Sequence, residues 1–141
     1  MNGVKDTKVF LASPLFSDAE RNFNSTVAER LRKEGHVVWL AQETTFVREI
    51  VHENSKKIYE TTIAMLEKSN VVVAVLDGPI VDAGVAYEIG FAKALKKPVI
   101  GLRTDSRTFS RTHEVNLMLD VPLLRVCRNL DEVIIEIEKI T

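Results

Sequence analysis

Two kinds of hydrophobic pattern alternate along the chain: short unbroken apolar blocks, and stretches in which apolar residues recur every three or four positions. The blocks are residues 9–12, 36–40, 71–76, 98–102 and 122–126. The third, Val71-Val72-Val73-Ala74-Val75-Leu76, shows no alternation, which suits a parallel strand covered on both faces. Between the first two blocks, Phe23, Val27 and Leu31 recur every fourth residue from a start at Ser17 or Asp18, and Lys33-Glu34-Gly35 supplies closing cations and a terminal glycine. Residues 43–69 carry Phe46, Ile50, Ile58, Thr62, Met65 and Leu66, predicting one long helix or two short ones with a break near Asn54-Ser55. Val85, Ile89, Ala92 and Leu95 predict a helix over 83–96. A short helix over 114–119 and an amphipathic one over 131–140 complete the set, the last with Asp131 as its first-turn cap. Residues 104–112 are polar and read as a mobile loop.

Strands alternating with helices, each connection long enough for a crossover, predict an α/β fold with a doubly wound parallel sheet and helices on both faces. The right-handed crossover rule leaves few topologies. The five-stranded flavodoxin-like order 2-1-3-4-5 puts the switch point between the first and third strands. The loops after Ala12 and Leu76 then face one crevice. At 141 residues, with no internal repeat or linker, the whole of 1–141 reads as one domain.

Charge narrows the partners. With 19 basic against 20 acidic residues the net charge is -1, so nothing favours a nucleic-acid polymer. Apolar content of 45% is ordinary for a globular chain, and no run approaches the roughly 20 apolar residues that span a bilayer. The start of the chain lacks the apolar core of a signal peptide, and one cysteine, Cys127, permits no internal disulfide. A reduced, cytoplasmic setting is the expectation. His36, His52 and His113 have no metal spacing, and no dinucleotide or phosphate-loop motif occurs.

The candidate chemistry gathers at the predicted crevice: Ser13 and Phe16 from the first loop, and Asp77, Gly78, Asp82, Gly84 and Glu88 from the third. Glu88 falls in the second turn of its helix, where the dipole favours a carboxylate, and Gly84 one turn below leaves its approach open. An ionised carboxylate beside open space can attack, or stabilise, an oxocarbenium-like sugar centre. On spacing alone a solvated glutamate on an amphipathic helix is the competing reading. Asp82 has a second role available as the N-cap, and Asp77 as a turn former with Gly78-Pro79.

Three stretches make the chain resemble the nucleoside 2-deoxyribosyltransferases and, more loosely, the related deoxynucleoside and nucleotide N-glycosidases. They are Val9-Phe10-Leu11-Ala12-Ser13-Pro14-Leu15-Phe16; Leu76-Asp77-Gly78 through Asp82-x-Gly84-x-Ala86-x-Glu88-Ile89-Gly90; and Arg103-Thr104-Asp105-x-Arg107 leading to Asn116-Leu117-Met118. The resemblance implies that Glu88 is the nucleophile of a retaining transfer of 2-deoxyribose between nucleobases, with Asp82 a second active-site carboxylate. It implies small-molecule nucleoside and nucleobase partners, no cofactor and no metal. It further implies a homo-oligomer in which Asn116 and Met118 complete a neighbour's pocket. Phe10 stands where the family usually has tyrosine. Thr62 stands where it usually has the aspartate associated with protonating the leaving base.

Two other functions compete. Water in place of the acceptor base would make the protein an N-glycosidase of nucleosides or their 5′-monophosphates, with Arg21, Arg103 and Arg107 the available cations. A non-catalytic nucleotide-binding or receiver-like module would use the same fold. A receiver, however, needs an acidic pair after the first strand and a lysine after the fourth, and Ser13-Pro14 and Thr104-Asp105 supply neither.

Overall fold

The unbroken apolar blocks become the strands of one parallel sheet, because only a strand buried on both faces can use apolar residues at every position. A computed structural model describes residues 6–44 and 52–141. Strands β1 (Lys8–Ala12), β2 (Val37–Leu40), β3 (Val71–Val75), β4 (Val99–Leu102) and β5 (Val126–Cys127) lie in the order β2-β1-β3-β4-β5, all parallel, as the patterning predicts. The helices are α1 (Asp18–Lys33), α2 (Ser55–Lys68), α3 (Ala83–Ala94), α4 (Leu117–Asp120) and α5 (Leu130–Ile140).

Side chains alternate across a strand, so each block feeds two cores. Val9 and Leu11 of β1 pack with Val27 and Leu31 of α1 and Val133 and Ile137 of α5. Phe10 and Ala12 face the opposite way, toward Leu66 of α2 and Val85, Ile89 and Ala92 of α3. Helices α2 and α3 therefore share the face on which a cleft opens. Cys127 is buried in the first core, a filler as its place in an apolar block suggests. Among the described residues no helix is long and apolar enough to cross a membrane.

Several boundaries differ from expectation, each for a local reason. Regular β5 is confined to Val126–Cys127, since a turn closed by Leu123 N–H on the Asp120 carbonyl takes up residues 120–123 and the chain first meets β4 through Leu124 N–H on the Val99 carbonyl (2.9 Å). Helix α3 stops at Ala94 because Lys96 adopts a left-handed φ of 58°. Asn129, not Asp131, caps α5: its side chain accepts the Glu132 N–H at 2.9 Å, while Asp131 pairs with Arg30 of α1 at 2.9 Å. The segment after β4 is pinned, not mobile, at its start. Asp77 accepts the N–H groups of Thr104 (2.7 Å) and Asp105 (3.0 Å), and Asp105 pairs with Arg107. The first half of the predicted 43–69 helix, with Phe46 and Ile50, lies outside the described residues; single 3-10 turns at Ala41–Glu43 and His52–Asn54 flank it.

Helix α1 opens on a capping box in which Ser17 Oγ accepts the Glu20 N–H at 3.1 Å and Glu20 Oε1 accepts the Ser17 N–H at 2.9 Å. Ser17→Ala is expected to lower stability by about 1 kcal/mol, read as a lower denaturant midpoint at unchanged slope.

Candidate active site

A cavity of about 440 Å³ opens beyond the carboxyl ends of β1 and β2, walled by α2 and the start of α3. Its floor is the loop after β1, which α1 holds in place. Asn24, buried in α1, donates to the Pro14 carbonyl at 2.8 Å, Arg21 to the Leu15 carbonyl at 3.0 Å, and Glu20 Oε1 accepts the Phe16 N–H at 3.0 Å. Three consecutive loop residues are thus fixed by one helix, bringing Ser13, Leu15 and Phe16 to the cavity.

Aromatic rings line the opposite side. Trp39 of β2 is backed by Phe10, with ring centroids 4.7 Å apart in a stacked arrangement. Tyr59 of α2 and Tyr87 of α3 join hydroxyls at 2.7 Å, and Tyr87 stacks on Phe91. Ile58 and Ile63 add apolar surface. Trp39, Tyr59 and Tyr87 were not among the candidates drawn from the sequence. Their spacing marks ordinary strand and helix positions, and only the packing of α2 beside α3 aims them at one space. Thr62 also lines the cavity, but its Oγ1 donates to the Ile58 carbonyl at 2.8 Å, one turn back in its own helix.

Asp82 and Glu88 bring two carboxylates to this cavity. Asp82 does cap α3: its Oδ2 accepts the N–H groups of Gly84 (2.9 Å) and Val85 (3.1 Å). A Cβ on Gly84 would stand 3.1 Å from that oxygen, tighter than side chains normally pack, so the glycine leaves room for the cap. Capping does not remove Asp82 from the cavity, so the cap leaves a role there open to it.

Glu88 is half-buried and, among the described residues, makes no hydrogen bond or ion pair. Burial, with the neighbouring Asp82 charge adding to it, pushes its carboxyl up to about 8. This corrects the expectation of a carboxylate held ionised. Removing it from water outweighs its place in the helix, and at neutral pH the resting group is mostly protonated.

Of the other candidates, Phe10 is fully buried and serves as the backing of Trp39 without lining the cavity itself. Asp77 and Gly78 line a separate hollow of about 240 Å³ with Asp105 and Arg107. There the Gly78 N–H donates to Asp105 at 2.8 Å and Asp77 ties β3 to the segment after β4. Asn116 caps α4 by accepting the Met118 N–H at 2.9 Å, and Met118 is 72% exposed. Neither lines the cavity of its own chain.

Parallel strands in flavodoxin-like order, with a carboxylate pair in an aromatic cleft at their carboxyl ends, define a small-molecule α/β protein of the kind that binds at the switch point. The family model for nucleoside 2-deoxyribosyltransferase matches residues 9–126, and the chain belongs to that family. A conserved protein from Enterococcus faecalis V583 is 30% identical, with a TM-score of 0.80 and coverage of 96% of this chain and 99% of that one. The 2-deoxyribosyltransferase of Bacillus psychrosaccharolyticus shares the fold at 23% identity and a TM-score of 0.77, covering 90% of each chain. A CMP N-glycosidase from Clostridium botulinum, BcmB, does so at 16% identity and a TM-score of 0.59, covering 94% of this chain and 99% of that one. A search of curated protein sequences finds no significant match. The family match makes this chain an enzyme of the nucleoside 2-deoxyribosyltransferase family, and the two neighbours share its fold.

Proposed function

We propose that the protein transfers a 2-deoxyribosyl group between nucleobases by double displacement, with Glu88 as nucleophile. Glu88 Oε bonds to the anomeric carbon as the C–N bond to the base breaks; a second base then attacks from the side the first one left, restoring the configuration. The observation that carries this reading is the state of Glu88: a half-buried carboxyl, without a hydrogen-bonding partner among the described residues, in an aromatic cavity sized for a nucleoside.

Nucleosides fit the lining better than 5′-monophosphates. No lysine, arginine or histidine lines the cavity among the described residues. The N–H groups at the start of α3, a natural phosphate seat, are taken by Asp82. Arg21 is committed to Leu15 and Asp18, Arg103 to main-chain carbonyls and Arg107 to Asp105. Completion of the pocket by Asn116 and Met118 of a second subunit belongs to the same reading. It is supported by the exposure of Met118 and of Val121 beside it, an apolar surface suited to an interface.

Incubation with a 2-deoxynucleoside, followed by proteolysis and mass analysis, is expected to find a deoxyribosyl adduct on the peptide containing Glu88. A free acceptor base should then discharge it as a new nucleoside. Release of free sugar without base exchange would assign the protein to the N-glycosidases instead.

A further inference from the structure

Tyr59 and Tyr87 bring two hydroxyls to the cavity from two different helices and join them at 2.7 Å. Each phenol carries one hydrogen, and the bond between them uses one of the two. The other has no acceptor among the described residues. The rings are held for this arrangement. Tyr87 stacks on Phe91 one turn along α3, with centroids 6.1 Å apart, and Tyr59 meets Tyr87 edge-on at 6.1 Å. The bond to Tyr59 raises the Tyr87 hydroxyl above its ordinary value, in keeping with Tyr87 as the donor within the pair. Tyr59 is then the hydroxyl with a hydrogen to give, and accepting from Tyr87 polarises it into a better donor. Three residues further along α2, Thr62 lines the same cavity with its hydrogen committed to the Ile58 carbonyl, so it turns only an acceptor oxygen to a ligand. Glu88 directly follows Tyr87 in α3. In a displacement the base departs on the side of the anomeric carbon away from the nucleophile, which gives the base the walls outside α3, that of α2 among them.

We infer that Tyr59 donates its free hydrogen to an acceptor atom of the nucleobase, a ring nitrogen or a carbonyl oxygen, and that Tyr87 is the positioning residue that holds the hydroxyl for it. The inference rests on the sugar-transfer reading above, which makes the ligand a nucleoside. With Thr62 as an acceptor on the same helix face, α2 offers a donor and an acceptor together, a match for a base edge that carries both. Such an edge is held in one orientation, and a base without the acceptor atom leaves the phenol hydrogen unpaired. Both tyrosines are about half exposed, at 52% and 51%, so an arriving base replaces water at the hydroxyl and the net gain in affinity is modest. The contact acts chiefly through discrimination, since a site built to hydrogen-bond one atom rejects the analogue that lacks it.

The test is equilibrium binding of free bases against analogues that lack or weaken one acceptor: adenine against its 1-, 3- and 7-deaza forms, cytosine against 3-deazacytosine, and thymine against its 2- and 4-thio forms. In the unaltered protein one analogue is expected to bind about 5–20-fold more weakly than its natural base. Tyr59→Phe keeps the ring; it should weaken the natural base by the same factor and leave that analogue unchanged. Tyr87→Phe should weaken the natural base by about two- to fivefold and keep the preference, because Tyr59 retains its hydrogen but loses its holder. Equal weakening of base and analogue by Tyr59→Phe would overturn the inference. So would an unaltered protein that binds no base, or tells no analogue from its natural base. Binding is read without turnover, so these outcomes stand apart from the fate of Glu88. A protein that discriminates bases as expected yet takes no sugar onto Glu88 would refute the displacement and leave the base contact standing.

Discussion

Glutamine in place of Glu88 is expected to make the protein inactive in sugar transfer and, above neutral pH, more stable. The loss should exceed about 10³-fold in kcat/KM, because the amide cannot form the glycosyl ester and no second carboxylate stands in its position. The gain in stability follows from the direction of the Glu88 shift. Its folded-state carboxyl is raised from 4.5 to about 8, so between those values the unfolded chain releases the proton while the folded chain keeps it. Stability therefore falls as pH rises through this window and levels off beyond it. Glutamine is neutral throughout and avoids the loss. The variant should match the parent near pH 4.5 and exceed it by on the order of 2–4 kcal/mol at about pH 9, measured by denaturant unfolding across pH. A parent and variant with parallel pH curves would mean that Glu88 is not desolvated in solution. Stability gained on removing a functional group is the usual mark of a site that function keeps strained.

Arg103→Met should do the opposite, lowering stability by about 2–4 kcal/mol, seen as a reduced denaturant midpoint. Arg103 is 1% exposed just after β4, and its guanidinium donates to the carbonyls of Leu76 (2.7 Å), Gly78 (3.3 Å) and Arg107. Methionine fills the same volume but donates nothing, leaving carbonyls in a buried place without partners. The Leu76 and Gly78 carbonyls belong to the turn that carries the chain from β3 toward Asp82, so the arginine secures the approach to the carboxylate pair. Lysine, with one ammonium in place of a fork of donors, should recover only part of the loss.

The resemblance offered Arg103, Asp77, Gly78 and Asn116 as part of a motif, but the contacts give them different work. Asp77 and Arg103 are both spent on the turn after β3, and Asn116 caps a short helix. A motif records that a residue type recurs at a spacing; it does not say whether the side chain turns toward the ligand or toward the backbone. Phe10 illustrates the same point, since a residue in an unbroken apolar block has equal claim to either face of the sheet. Its place behind Trp39 depends on which face α2 and α3 cover.

The order of apolar blocks and periodic stretches was enough to determine the strands, the helices between them and the 2-1-3-4-5 sheet. Local pattern governs local structure, and the handedness of crossovers leaves little freedom after that. The sequence also singled out Glu88 and Asp82 at the carboxyl end of β3, with Gly84 between them. Only the tertiary structure decided what surrounds that pair. Tyr59 and Tyr87 are 28 residues apart, and Trp39 comes from a different strand, so their convergence is a property of how α2 packs against α3 and the sheet. The protonation of Glu88 was decided there too: a helix position by itself favours the charged form, and it is burial beside a second carboxylate, invisible along the chain, that reverses the preference.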